Sequence, residues 1–116
     1  TASSVSLTAT ASPGSIILSK TLNASVFSAK YVILYGSITL YNSNASAVNE
    51  VIQVFIGSKY INVHEVTVPA GGYVVVPVQY VLTGNNMPFT GTTVGLAAYG
   101  GSLTATYAYM MLSTIG

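Results

Sequence analysis

Few side chains in this chain can do acid–base, metal or nucleophilic chemistry. They are His64, Glu50, Glu65, Lys20, Lys30 and Lys59, and there is no Asp, Arg or Cys. Nucleophilic hydrolysis needs a Ser or Thr oriented by a base and a third group. His64 is the sole histidine, and a strand through it turns Glu65 to the opposite face. Glycosidase chemistry needs two facing carboxylates. Glu50 and Glu65 are the one available pair, placed near the two ends of an expected hairpin. Read as solvated edge residues they do no chemistry, and that is the simpler reading. One His and two Glu at unrelated spacing make no metal site. No catalytic residue, cofactor or metal is expected, and the chain is read as a non-enzyme.

Two covalent modifications fit the residue types better. Asn23-Ala24-Ser25 and Asn44-Ala45-Ser46 match the acceptor pattern for N-linked glycans. Asn44 stands in a polar loop, and Asn23 at the expected start of a strand. A Lys–Asn isopeptide crosslink would need Lys30 or Lys59 buried together with an Asn and one of the glutamates.

The elements that must position these residues are β-strands almost throughout. Val5, Leu7, Ala9 and Ala11 fall on one parity and Ser4, Ser6, Thr8 and Thr10 on the other, a two-residue period. Ser12-Pro13-Gly14-Ser15 then breaks the run with turn chemistry. Residues 16–28 alternate more weakly. Tyr31 to Tyr41 read as a long strand, with Val32, Leu34, Ile38 and Leu40 on one face and Tyr31, Tyr35, Thr39 and Tyr41 on the other. Gly36 inside it is a candidate bulge or bend. Val51–Ile56 and Tyr60–Val68 form a hairpin about Gly57-Ser58, and Pro69-Ala70-Gly71-Gly72 is a turn into the strand from Tyr73 to Val81. Pro77 confines that strand to an edge or a bulge. After a loop at 84–88, Thr92–Tyr99 and Leu103–Leu112 close the chain about Gly100-Gly101. The expected fold is an all-β, immunoglobulin-like sandwich of seven to eight strands with an extended N-terminal strand.

Composition narrows the function further. Only 4% of the residues are charged, against about a quarter in an ordinary soluble domain. From Val66 to Gly116 no ionic side chain occurs. Three dispersed lysines offer no footprint for nucleic acid, which needs clustered Lys or Arg. Val94 to Ile115 is uncharged and long enough to span a bilayer, yet its glycines, hydroxyls and strand-like alternation oppose a membrane helix. A chain this neutral meets water through hydroxyls, amides and glycans, and associates with copies of itself. With so few carboxylates, its stability is expected to be nearly independent of pH, which suits an acidic habitat and equally a low-charge polymer subunit in neutral water. The start Thr1-Ala2-Ser3-Ser4, without Met, is read as a processed end.

Nine tyrosines and no tryptophan add a second hint of association, since tyrosine joins a large apolar area to a hydroxyl. Packing against loops explains them equally well. The N-terminal strand allows two arrangements. It is either the first strand of its own sandwich or a strand given to a neighbour. Eleven extended residues reach roughly 36 Å, enough to lie in a neighbouring groove. Val5, Leu7, Ala9 and Ala11 would then be its inserted side chains. On this reading residues 1–14 are a donor strand with its hinge, and residues 15–116 the sandwich domain.

With these features together, the chain resembles the subunits of archaeal extracellular thread filaments from thermoacidophiles. A mature start rich in Ala, Ser and Thr, a detachable strand, an immunoglobulin-like domain, sequons and near-zero charge carry the resemblance over the whole chain. It implies an extracellular, cell-surface homopolymer, glycosylated at Asn23 and Asn44 and joined head to tail by donor-strand complementation. Archaeal pilins and archaellins share this kind of β-domain but carry an N-terminal hydrophobic helix, which residues 1–30 do not show. Two alternatives remain beside the filament: a stand-alone adhesion or envelope β-domain, and an archaeal virus coat protein.

Overall fold

Alternating apolar residues commit the chain to strands whose inward faces must be buried between two layers. The structure, a computed structural model, describes residues 1–22, 31–82 and 91–115. The described strands are β1 (Ala2–Leu7), β2 (Ser15–Thr21), β3 (Tyr31–Tyr41), β4 (Val48–Ile56), β5 (Lys59–Val68), β6 (Tyr73–Leu82), β7 (Thr93–Tyr99) and β8 (Leu103–Ile115). The expected strands at Tyr31–Tyr41, Tyr60–Val68 and Tyr73–Val81 coincide with β3, β5 and β6. The expected loop at 84–88 lies outside the described residues. Val94 to Ile115, tested above as a membrane segment, is β7, a turn and β8. Among the described residues no helix is long and apolar enough to cross a membrane.

The strands form two four-stranded antiparallel sheets. The first has the order β1-β8-β3-β6 and the second β2-β7-β4-β5. Between them lies one core, in which Leu7, Val32, Leu34, Ile38, Leu40, Ile52, Val54 and Leu96 are fully buried. Burying one such side chain stabilises the fold by about 1.5–3 kcal/mol. Gly36 makes no bulge: β3 runs through it in register with Val78 and Met110. Its lack of a side chain lets β8 approach, because a Cβ there would overlap the carbonyl of Tyr109. Pro77 sits in β6, the edge strand of the first sheet, which is where a proline within a strand is tolerated.

The sandwich is as expected, but its strand order is not immunoglobulin-like. In that fold the first two strands share a sheet. Here β1 and β2 lie in different sheets, and the β4–β5 hairpin is the one connection that stays within a sheet. The pairs β4·β5, β3·β6, β2·β7 and β1·β8 are nested, so the chain is one long antiparallel ribbon rolled on itself. That is a jelly roll. Local periodicity fixes where strands lie but carries no information about which distant strand each will pair with, which is why the order escaped the sequence reading.

Candidate functional site

Glu50 and Glu65 are neighbours in the β4–β5 ladder but face opposite ways. Glu50 is opposite Val66 and Glu65 is opposite Val51, so the carboxylates leave opposite faces of the sheet. They cannot flank one glycosidic bond. Glu65 is exposed, as expected, whereas Glu50 is fully buried and corrects the solvated reading. Its parity with Ile52 and Val54 turns it into the core. Glu50 Oε1 accepts the backbone N–H of Gly101 at 2.8 Å, and among the described residues Oε2 has no hydrogen-bond partner. Burial pushes its pKa up to about 7, against the smaller opposing effect of the Gly101 hydrogen bond. Gly100 fits here because a Cβ would meet both Glu50 Oε1 and the carbonyl of Asn49, and its φ of 143° suits glycine.

No described lysine stands beside this carboxyl. Lys59 is exposed at the far end of the hairpin, opposite Ile56, and Lys20 is exposed on β2. Lys30 and Asn23 lie outside the described residues. Among the described residues no three His, Cys, Asp or Glu come together in a group that could hold a metal ion. His64 is exposed on β5 and lines an open cleft of about 500 Å³ with Tyr35, Gly36, Pro77, Val78 and Gln79. The one other ionisable side chain among those lining residues is the phenol of Tyr35, and the cleft brings no carboxylate or lysine beside His64.

The polar loop expected at 42–46 is built on Asn42, which is fully buried. Its amide nitrogen donates to the carbonyls of Ser46 at 2.9 Å and Val68 at 3.0 Å. Its Oδ1 accepts from both the backbone and the side-chain amide of Asn44, at 2.9 and 2.8 Å. Asn44 is exposed, as a glycan acceptor must be, but its Nδ2 also donates to Ser102 O at 2.7 Å. Periodicity gave no hint of Asn42, whose role depends on β5 and the 71–72 turn.

The alternation over residues 1–11 predicts one continuous strand, whereas β1 ends at Leu7. Within the chain it pairs with β8, with Val5 opposite Ala105 and Leu7 opposite Leu103. Leu7 is fully buried and Val5 half-buried against the core; Ala9 is half-buried and Ala11 exposed. Only Val5 and Leu7 of the four named side chains therefore occupy the strand's inward row. The link at 8–14 is tied down rather than loose. Ser15 Oγ accepts the N–H groups of Thr8 and Ala9, and Ala9 O accepts that of Gly100. Gln53, nearly buried on the outer side of β4, accepts Gly14 N–H at 3.0 Å and donates to Ser12 Oγ and Asn62 Oδ1.

The tyrosines predicted to lie opposite Val32 and Leu34 do line the outer face of the first sheet. Tyr31, Tyr73, Val75, Val81, Tyr107 and Met111 are all exposed on that sheet. Rings meet across and along it, Tyr41 with Tyr73 at 4.6 Å and Tyr107 with Tyr109 at 6.4 Å between centroids. The described lysines, glutamates and His64 all belong to strands of the second sheet; β1, β8, β3 and β6 contain none. Compared with protein-family models, curated proteins and solved structures, the chain matches none of them.

Proposed function

We propose that the chain is a non-enzymatic structural subunit of an extracellular filament, its copies joined by exchange of the N-terminal strand. The observation that carries this reading is the way β1 closes the edge of the first sheet. It is a six-residue strand laid along a thirteen-residue partner, and within it only Leu7 is fully buried. Ser4 holds a left-handed φ of 54°, a conformation costing a non-glycine residue roughly 1–2 kcal/mol. The pairs it makes with β8 would form identically if the strand came from a neighbour, so the fold can be completed in cis or in trans. The near absence of charge supports association between like copies, and a surface glycan at Asn44, with one at Asn23, would supply solubility.

One observation favours a second reading. The nested-ribbon order is the one found in viral coat domains as well as in lectins, so a coat protein remains the main rival. Electron microscopy of native material separates them: long thin fibres support the filament, and closed particles the coat. Deleting residues 1–11 should abolish the fibres. Fibres that persist without those residues would remove strand exchange from the account.

A further inference from the structure

We infer that the outer face of the β1-β8-β3-β6 sheet is a self-docking surface whose partner is the same face of a second copy. The inference is independent of strand exchange, which uses the edge of that sheet rather than its face. The outward residues of β3, β6 and β8 are Tyr, Val, Ile, Thr, Ser, Pro, Gln and Met, with no ionisable acid or base other than tyrosine phenols. Val75 is 62% exposed on β6, opposite Thr39, and Met111 52% exposed on β8, opposite Tyr35. Exposed aromatic and apolar side chains gathered with small hydroxyls on one neutral face are what protein surfaces reserve for partners.

Area and shape choose the occupant. β3 has eleven residues, so at about 3.4 Å per residue and about 4.8 Å between strands the face covers some 500 Å². Two such faces bury about 1,000 Å², the lower bound for a biological interface and within the range of weak, transient ones. Among the described residues β3, β6 and β8 offer a nucleic acid or any charged partner no countercharge, and His64 borders the face only at the cleft it shares with Tyr35, Pro77 and Gln79. A second copy brings no charge to desolvate. Along β3 the outward residues run Tyr31, Ile33, Tyr35, Ser37, Thr39, Tyr41, so that the two small ones, Ser37 and Thr39, lie between tyrosines. A two-fold axis near Ser37 and Thr39 lets the tyrosines of each copy flank the small residues of the other, with the sheets about 10 Å apart. Because the contact is apolar and neutral, added salt should not weaken it, and sulfate should strengthen it.

The test must hold strand exchange constant. Val5 and Ala105 are directly opposed, so Val5→Cys with Ala105→Cys, oxidised at high dilution and purified free of intermolecular disulfides, gives a full-length chain whose β1 is locked on its own β8. Ser6→Cys with Thr104→Cys is a second lock at the next opposed pair. Sedimentation equilibrium of the locked chain at about 100 µM, above the micromolar range of weak interfaces of this size, should show dimers. Val75→Lys or Met111→Lys in the locked chain should raise the dimer dissociation constant at least about a hundredfold, since the symmetry buries two unpaired ammonium groups. Thr67→Lys, on the second sheet, should leave it unchanged, and thermal melts would confirm that each variant is folded. A locked chain that is monomeric, or one whose dimer tolerates both lysines, overturns the inference. Neither result bears on the filament, which the unlocked chain tests separately.

Discussion

Glu50 accepts the backbone N–H of Gly101 at 2.8 Å, and so holds the β7–β8 turn from beneath with a carboxyl group that has one satisfied oxygen and one orphan. The same turn presents Gly100 N–H to Ala9 O, just beyond β1. The buried carboxyl, the closing turn of the ribbon and the end of the N-terminal strand are therefore one hydrogen-bonded unit.

The first prediction is the pH dependence of stability. Glu50 keeps its proton up to about pH 7 in the folded chain and loses it near the ordinary glutamate value of about 4.3 when unfolded. The folded state binds more protons between these values, so stability is greatest below about pH 4.3 and falls as pH rises through 7. The loss is on the order of 3 kcal/mol. This replaces the nearly flat profile expected from composition, and it leaves acid as the favourable condition. Glu50→Gln keeps an acceptor for Gly101 and should flatten the profile. Equal melting temperatures for the wild-type chain at pH 4 and pH 8 would contradict the assignment.

A second expectation concerns the link between β1 and β2. Gln53 is the side chain that reaches both Ser12 and Gly14. Gln53→Ala strips a part-buried donor and acceptor of their partners and should cost about 1–3 kcal/mol. Hydrogen exchange should accelerate at the amides of residues 8–14 before it does in β3. Uniform acceleration across the whole chain would mean that Gln53 supports the sandwich generally rather than this link.

How far the sequence could be read follows from which interactions are local. The period of two in Tyr31–Tyr41 and the Pro-Ala-Gly-Gly turn at 69–72 encode strand positions directly, and β3, β5 and β6 lie where they point. Glu50 was legible in principle, because it shares parity with Ile52 and Val54. In β4 both parities mix polar and apolar residues, however, so the inward face was ambiguous. Gln53 was not legible at all. Its burial comes from residues 12–14 folding over the outer side of β4, and its partners Ser12 and Gly14 lie some forty positions away. The roll of the ribbon, and with it the place of β1 beside β8, depends on the longest-range pairing in the chain, which no local pattern records.

Glycosylation gives the third prediction. Asn44 Nδ2 has two hydrogens and both are used, toward Asn42 Oδ1 and Ser102 O. A glycan replaces one of them, so one of these bonds must be given up at a cost of about 1 kcal/mol. Intact mass measurement of native protein should exceed 12.0 kDa by one or two glycans, one of them removed by Asn44→Gln. The chain made without glycans should melt slightly higher than the glycosylated one when both are compared with Asn23→Gln in place. Bare mass in native material would remove glycans from the explanation of solubility.

The last prediction reads the register of β1. Leu7 is fully buried opposite Leu103, whereas Ser6 is exposed opposite Thr104 on the other face. Without residues 1–11, β8 is left with an unpaired edge and the site of Leu7 stands open. A chain lacking these residues should therefore bind a synthetic peptide of residues 1–12 added in trans. In that peptide Leu7→Asp should weaken binding by at least about a hundredfold, because a carboxylate would enter an apolar site without a partner. Ser6→Asp should change it little, and Ala11→Asp equally little, since Ala11 is exposed past the end of the strand. Val5→Asp should fall between, in keeping with its half-burial. If Ser6→Asp proved the more damaging, the strand would be bound in a register shifted by one residue, turning its apolar row to the solvent. A peptide that fails to bind the truncated chain at all would show that β1 can complete the sandwich only from within, and exchange between subunits would have to be abandoned.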